Sequence, residues 1–161
     1  MMSITDFTRH NLDKQGFGAL DDAAKARDQW TLRFTPAVCV SLVAIALVLR
    51  SPLGLGAMAL VVLSGALFPR GMLTDVVYNL GARHLFHAPP LPATPKPRRF
   101  SYLLSTAFLA GSSVSFYVGL PTLGFILGGL VCVAGAVLTT TLWCLGSWYF
   151  KLFFGPVTAE K

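Results

Sequence analysis

Three cysteines are the residues of this 161-residue chain whose side chains could most readily do chemistry. Cys39, Cys132 and Cys144 all lie in uncharged apolar runs, a pattern that matches neither a disulfide framework nor a zinc site. Redox or sulfur chemistry would need a thiol with a lowered pKa. The alternative is that each cysteine is a small packing residue, which is the favoured interpretation, most strongly for Cys132.

Two histidines, His84 and His87, are spaced so that both could bind one metal ion. No cysteine or carboxylate accompanies them locally, so we interpret them as interfacial residues and expect no metal or other cofactor.

Four long apolar runs predict an all-α integral membrane protein with four transmembrane helices. Only 12% of the residues are charged, against about 25% in soluble proteins. The predicted spans are residues 34–49, 53–68, 100–118 and 123–150. Spans one and two are short, so a re-entrant hairpin is an alternative. Two true spans are preferred because a hairpin would leave Arg50 in hydrocarbon, at about 2.5–3.5 kcal/mol.

The spans contain no Asp, Glu, His, Lys or Arg. A proton-coupled carrier, or a haem site built on histidine, is therefore not expected, because such sites place ionisable or ligating side chains within the membrane.

The remaining segments divide into an arm, a central loop and a tail. Residues 1–30 form a polar arm, residues 31–155 the membrane domain and residues 156–161 the tail. We expect the arm to be solvated, with contact to a partner as the alternative. Apolar residues at helical spacing predict an amphipathic interfacial helix between spans two and three, from about Gly71 to Phe86.

The basic residues predict the topology. Twelve of the thirteen Lys and Arg lie in the arm, the central loop or the tail, or next to them at the span ends (Arg33 and Lys151), and the exception is Arg50. The positive-inside rule then places both termini in the cytoplasm. The net charge of +6 is explained by this topology and by anionic lipid, so no nucleic-acid partner is expected.

Small residues recur at every fourth position of the fourth span, forming one ridge of the helix. They are Gly124, Gly128, Cys132, Ala136 and Thr140, followed by Cys144. A second ridge in the third span consists of Ala107, Gly111 and Ser115. Small residues allow close approach of helices in lipid, so we expect these ridges to form the tightest helix contact.

Two of the thiols are predicted to lie at similar depths. Cys39 and Cys144 are each about 8–9 Å from the cytoplasmic end of their predicted helix, at 1.5 Å per residue. They are therefore able to face one another.

Two short motifs in the second half carry a family resemblance. The sequence CLGS at residues 144–147 is followed by Trp148, and Pro97 stands three residues before Phe100. Over residues 31–150 the chain resembles the bacterial membrane family catalogued as domain of unknown function 4395. The resemblance implies four membrane helices, a bacterial inner-membrane location and no established activity. The family's motif is CLGC-like, and Ser147 stands where its second cysteine would be, so no dithiol role is carried over.

The favoured function is that of a small accessory or structural subunit, which packs through its small-residue faces against a larger membrane assembly. The alternative is a membrane thiol protein that relays electrons or sulfur to a soluble cytoplasmic partner through Cys144, helped by Cys39. A passive pore or carrier for a neutral solute is a third possibility. The bilayer and a membrane protein are the expected partners, and the oligomeric state is left open.

Overall fold

The computed structural model describes residues 5–68, 72–82, 84 and 93–155, and every regular element in these ranges is helical. The all-α prediction is therefore confirmed. Two π-helical segments, Asp13–Phe17 and Tyr78–Ala82, continue the first and fourth helices. The α-helices bounded within the described residues are α1 (Asp6–Leu12), α2 (Asp22–Val48), α3 (Pro52–Leu67), α4 (Leu73–Val77), α5 (Lys96–Tyr117), α6 (Pro121–Thr141) and α7 (Leu145–Phe154).

Side-chain caps fix where the first two long helices begin. The Oδ1 atom of Asp21 accepts a hydrogen bond from the Ala24 amide at 2.7 Å at the start of α2. At the start of α3, the hydroxyl of Ser51 accepts from the Gly54 amide at 3.0 Å, and Pro52 occupies the first helical position. Because α2 begins at Asp22, the expected boundary between arm and membrane domain at residue 30 falls within one continuous helix.

Helices α2, α3, α5 and α6 form a bundle around one apolar core. Val43 and Leu47 of α2, Leu55 of α3 and Leu109 of α5 are among its buried residues. The most extensive helix pair is α3 with α5, and the two ridge helices α5 and α6 also pack against each other. Ser113 of α5 contributes to the contact with α3, because its hydroxyl donates to the Pro52 carbonyl at 2.7 Å.

The two turns of the bundle lie at the same end. Arg50, in the turn between α2 and α3, places its guanidinium 5.6 Å from the ring centre of Phe125, in the first turns of α6. The turn between α5 and α6 is therefore adjacent to it. The arm, α4 and α7 lie at the opposite end. There the π-helical segment Asp13–Phe17 and the short helices pack against the start of α5 and the end of α6.

Two of the described helices, α2 and α6, are long and apolar enough to cross a membrane, instead of the four predicted. Helix α3 has 16 residues, so at 1.5 Å per residue it is about 24 Å long, less than the ~30 Å of a hydrocarbon core. Helix α5 has 22 residues but carries three basic residues in its first turn and several serines. The short length of α3 and the polar residues of α5 therefore leave α2 and α6 as the clear candidates for membrane spans.

The described part of the predicted interfacial helix is helical, but its faces differ from those predicted. The described part consists of α4 and the π-helical turn after it; Gly71, residue 83 and residues 85–92 lie outside the described residues. Leu73 is 53% exposed and Leu80 is 76% exposed, whereas Asp75 is only 8% exposed. Leu73 and Leu80 therefore point away from the bundle, whereas Met72 and the carboxylate of Asp75 point into it.

The arm packs against the bundle, contrary to the expectation of a solvated segment. Leu12 and Phe17 are buried in a cluster with Leu32 of α2 and Leu142, which follows α6. The adjoining Lys25 donates to Asp13 at 2.6 Å. The polar composition of the arm hid these contacts, because few of its side chains are apolar.

Candidate functional site

The helical conformation is interrupted after Thr141, and this break in the helix determines where Cys144 lies. Leu142 adopts a left-handed conformation, with φ 52° and ψ 27°, and is fully buried. The amide of Trp143 donates to the Thr141 hydroxyl at 3.1 Å, so it does not continue the helical ladder. The sequence predicted one span over residues 123–150. The structure divides this stretch into α6 and α7, with Cys144 as the residue that precedes α7.

The arm supplies the hydrogen-bond donors that the break requires. The side-chain amide of Asn11 donates to the Thr141 carbonyl at 3.0 Å, and that of Gln15 donates to the Leu142 carbonyl. Carbonyls at a helix end have no intrahelical partner, and here two buried arm residues take that role. The break and the arm therefore form one structural unit.

Cys144 is buried, with 5% of its surface exposed, and contacts the start of α5. Its sulfur donates a hydrogen bond to the Ser101 hydroxyl at 3.2 Å. Gly146 makes this approach possible, because a Cβ at that position would lie 2.5 Å from the Ser101 Cβ and 2.6 Å from its Cα. The glycine of the CLGS motif thus brings α7 against α5 and holds the thiol in place.

Cys39 and Cys144 line the same cavity. It has a volume of about 460 Å³ and is bounded mainly by α2, α5, α6 and the beginning of α7. The structure thus brings these two predicted thiols to one space, whereas Cys132 packs against the core instead. The side chains with hydroxyl groups that share the lining with the thiols are Thr35, Ser101, Tyr102, Ser105 and Tyr149. Most of the remaining lining is aliphatic or aromatic.

A buried charged pair of residues lies beside the cavity. The Thr35 hydroxyl donates to the Asp75 carboxylate at 2.7 Å. Arg98 is 4% exposed; it donates to the Leu32 carbonyl at 3.3 Å, and its Nε has no hydrogen-bond partner. Its guanidinium also lies 5.8 Å from the ring centre of Phe17. The arm therefore covers the outer side of this arginine.

Electrostatics connect Arg98 to both Asp75 and the cavity. Burial raises the pKa of the Asp75 carboxyl, although the Thr35 hydrogen bond and the charge of Arg98 act in the opposite direction. Arg98 is also close enough to act electrostatically on Tyr102 and Cys144, which line the cavity. The arrangement places a positive charge behind one end of an apolar space, where it favours a negative charge or a strong hydrogen-bond acceptor.

Sequence reasoning missed Asp75 and Arg98 as site residues. Helical spacing between spans two and three marks only the apolar positions of that segment, and the count of basic residues uses Arg98 only as evidence for topology. The sequence feature that could have indicated Arg98 is its position in the Pro97–Phe100 motif, because a residue that follows Pro97 lies in the first turn of a helix. Their proximity depends on how α4 folds back across α2, which the sequence pattern does not reveal.

Only one histidine of the His84–His87 pair lies within the described residues. His84 is exposed, and His87 lies outside the described residues. In the ranges that the structure describes, no three His, Cys, Asp or Glu side chains are grouped as they would be around a metal ion. The structure therefore provides no test of the pair as a metal site.

The small-residue ridge of α6 divides into two halves. A Cβ at Gly124 would lie 2.7 Å from the Phe116 ring, and one at Gly128 would lie 2.5 Å from Leu47, so this half packs inside the bundle. Ala136 and Thr140, farther along the ridge, are exposed, and Cys132 lies between the two halves with intermediate burial.

The ridge of α5 is likewise divided. Ser115 is buried, and a Cβ at Gly111 would lie 3.1 Å from Leu127 of α6. Ala107, one turn earlier, is exposed.

Comparison with known proteins identifies the family to which the chain belongs. None of the curated proteins compared with the chain matches it, and no solved structure does. Residues 28–154 match the model of a domain of unknown function, DUF4395. That range contains most of α2, all of α3 to α7 and both cavity thiols. This chain is a member of the DUF4395 family.

Proposed function

We propose that the protein is a multi-pass integral membrane protein that acts as an accessory or structural subunit of a larger membrane assembly. The observation that carries this proposal is the exposure of α6. Its most apolar 18-residue window is only 17% buried within the chain. Exposed apolar surface costs about 25 cal/mol per Å² in water, so such a helix requires lipid or another protein around it.

The other bundle helices support a membrane location in the same way. Leu53, Leu60 and Leu67 recur at seven-residue spacing along α3 and are all more than half exposed. Val114 of α5 is 59% exposed. We propose that α2, α3, α5 and α6 are the four spans, with local thinning of the bilayer around the short α3.

The positions of the turns support the proposed orientation. Arg50 and the α5–α6 turn share one end of the bundle, whereas the arm and α7 share the other. The described basic residues other than Arg50 all belong to segments at this second end. The positive-inside rule assigns it to the cytoplasm of the bacterial inner membrane, with both termini on that side.

The exposed half of the α6 ridge is the proposed contact with the partner. Ala136 and Thr140 are exposed, and a Cβ at Gly129 would meet nothing within 4 Å. These positions lie on the outer side of α6, together with Val133, which is 64% exposed. A surface with so few large side chains allows a helix of another subunit to approach closely.

A pull-down in mild detergent tests this function. We expect the tagged protein to retain membrane partners in stoichiometric amounts, and the substitution Ala136→Leu to release them, because the larger side chain blocks close approach. Ala110→Leu is the matched control, since Ala110 is also small and exposed but lies on α5. Absence of a partner from the wild-type sample, or equal retention by both variants, would contradict the proposal.

The second candidate function is a thiol relay to a soluble partner through Cys144. The observation that favours it is the shared cavity of Cys39 and Cys144. The observation against it is that Cys144 is only 5% exposed, so a soluble partner would reach it only after α7 moves. A Cys144→Ser variant distinguishes the two functions: the relay predicts loss of a reductant-sensitive mixed disulfide, and the accessory role predicts unchanged recovery of membrane partners.

A further inference from the structure

The cavity between α2, α5, α6 and α7 has the size and lining of a site for an apolar small molecule. Its volume of about 460 Å³ falls within the ~300–1,000 Å³ that is typical of such sites. Val43, Phe108 and Leu130 are among the apolar side chains that line it. Gly135 allows α6 to approach α2 along it, because a Cβ there would lie 2.2 Å from Val40.

Polar groups are confined to one end of the cavity. Ser101 and Tyr102 belong to the first turns of α5, and Cys144 precedes α7. The Ser101 hydroxyl accepts from the Cys144 sulfur at 3.2 Å, which leaves its own proton to be donated. The Ser105 hydroxyl, one turn along α5, also lines the cavity. This end therefore offers hydrogen-bond donors, whereas the rest of the space is apolar.

A buried positive charge lies directly behind those groups. Arg98 is 4% exposed, and its Nε has no hydrogen-bond partner. The described part of the chain contains no direct ion pair that involves it, although the Asp75 carboxylate is near enough to act on it electrostatically. Burying an arginine without a direct ion pair is unfavourable, and a ligand anion at the polar end would add to the compensation of its charge.

We propose that this cavity binds a single-chain amphiphile with a carboxylate head, that is, a free fatty acid. Its carboxylate lies at Ser101 and Tyr102, in front of Arg98, and its chain occupies the apolar part between α2 and α6. The proposal does not depend on the accessory function, because ligand binding is a property of the isolated chain.

Binding of radiolabelled palmitate to the full-length protein in phosphatidylcholine nanodiscs tests the site. We expect saturable binding that unlabelled palmitate displaces at least about tenfold better than methyl palmitate, because only the acid supplies a charged acceptor. Signal that does not saturate indicates partitioning into the bilayer, and equal displacement by the ester indicates a space for any acyl chain. Either result would overturn the proposal.

Two tryptophan substitutions on one helix locate the binding. Ser105→Trp fills the cavity and is expected to weaken palmitate binding about tenfold or more, whereas Leu103→Trp, on the exposed side of α5, is expected to leave it unchanged. Thermal unfolding in the same nanodiscs checks that both variants are folded. Equal binding by the two folded variants would overturn the assignment to this cavity, while the pull-down of membrane partners would still test the accessory function separately.

Discussion

The side-chain amide of Asn11 donates a hydrogen bond to the carbonyl of Thr141, at 3.0 Å and across 130 residues of sequence. The contact joins the polar arm to the point where α6 ends. Gln15 donates in the same way to the Leu142 carbonyl. The two arm residues thus supply hydrogen-bond donors to carbonyls at the end of α6, which have no partner within the helix. The placement of Cys144, three residues later, therefore depends on the arm.

Asn11→Ala is expected to destabilise the protein by about 1–3 kcal/mol, because it leaves the Thr141 carbonyl without its partner in a part-buried place. Equilibrium unfolding in mixed detergent micelles measures the change. His10→Ala, at the exposed neighbouring position, is the control and should have little effect. Equal stability of the Asn11 and His10 variants would show that the arm does not stabilise the break.

Gly146→Ala is expected to destabilise the protein by about 1–3 kcal/mol through overpacking. The added methyl group would lie 2.6 Å from the Ser101 Cα, and a backbone atom cannot move aside as a flexible side chain can. Thermal unfolding in detergent measures the effect. Gly129→Ala, which introduces the same methyl group into open space on α6, should be neutral or slightly stabilising. A neutral Gly146→Ala would mean that α7 does not press closely against α5.

The long helices were predictable from the sequence because they are signalled by continuous apolar runs and by caps such as Ser51 before Pro52. The break at Leu142 was not, since residues 139–150 continue the apolar run without glycine or proline before Gly146. Two residues that hydrogen-bond to the end of α6, Asn11 and Gln15, lie far away in sequence.

The candidate site was predictable in part for a similar reason. The apolar runs placed Cys39 and Cys144 at one depth, and the structure puts both on one cavity. The burial of Asp75 and Arg98 could not be inferred from periodicity, because each is a polar residue at a position that normally faces solvent or headgroups. Their environment is set by how α4 and the arm fold across the bundle.

Ser147→Ala is expected to stabilise the protein by about 1 kcal/mol. The Ser147 side chain is 1% exposed, and its hydroxyl oxygen has no hydrogen-bond partner, so its desolvation is uncompensated. Chemical unfolding of the variant beside the wild type measures the difference. Ser113→Ala is the contrasting control, because that hydroxyl donates to the Pro52 carbonyl and its loss should destabilise. A destabilised Ser147→Ala would reveal a partner for this hydroxyl.

Asp75→Asn is expected to change how stability depends on pH. Burial raises the carboxyl pKa in the folded state above its ordinary value near 3.8. The folded state therefore binds more protons than the unfolded state between these two pKa values. The stabilisation that comes from the protonated carboxyl is fully present below the ordinary pKa and is lost as pH rises through the folded pKa. Asparagine has no such titration and still accepts the Thr35 hydrogen bond.

The free energy of unfolding of wild type and Asp75→Asn, measured between pH 4 and pH 8, checks this sign. We expect the variant to gain stability relative to wild type as pH rises from about 4, because only the wild type must then bury a charged carboxylate. Asp6→Asn, which removes a carboxylate from the exposed surface of α1, is the control and should show a smaller trend. If the wild type instead becomes more stable relative to the variant as pH rises, Arg98 and Thr35 stabilise the charged carboxylate more than burial destabilises it.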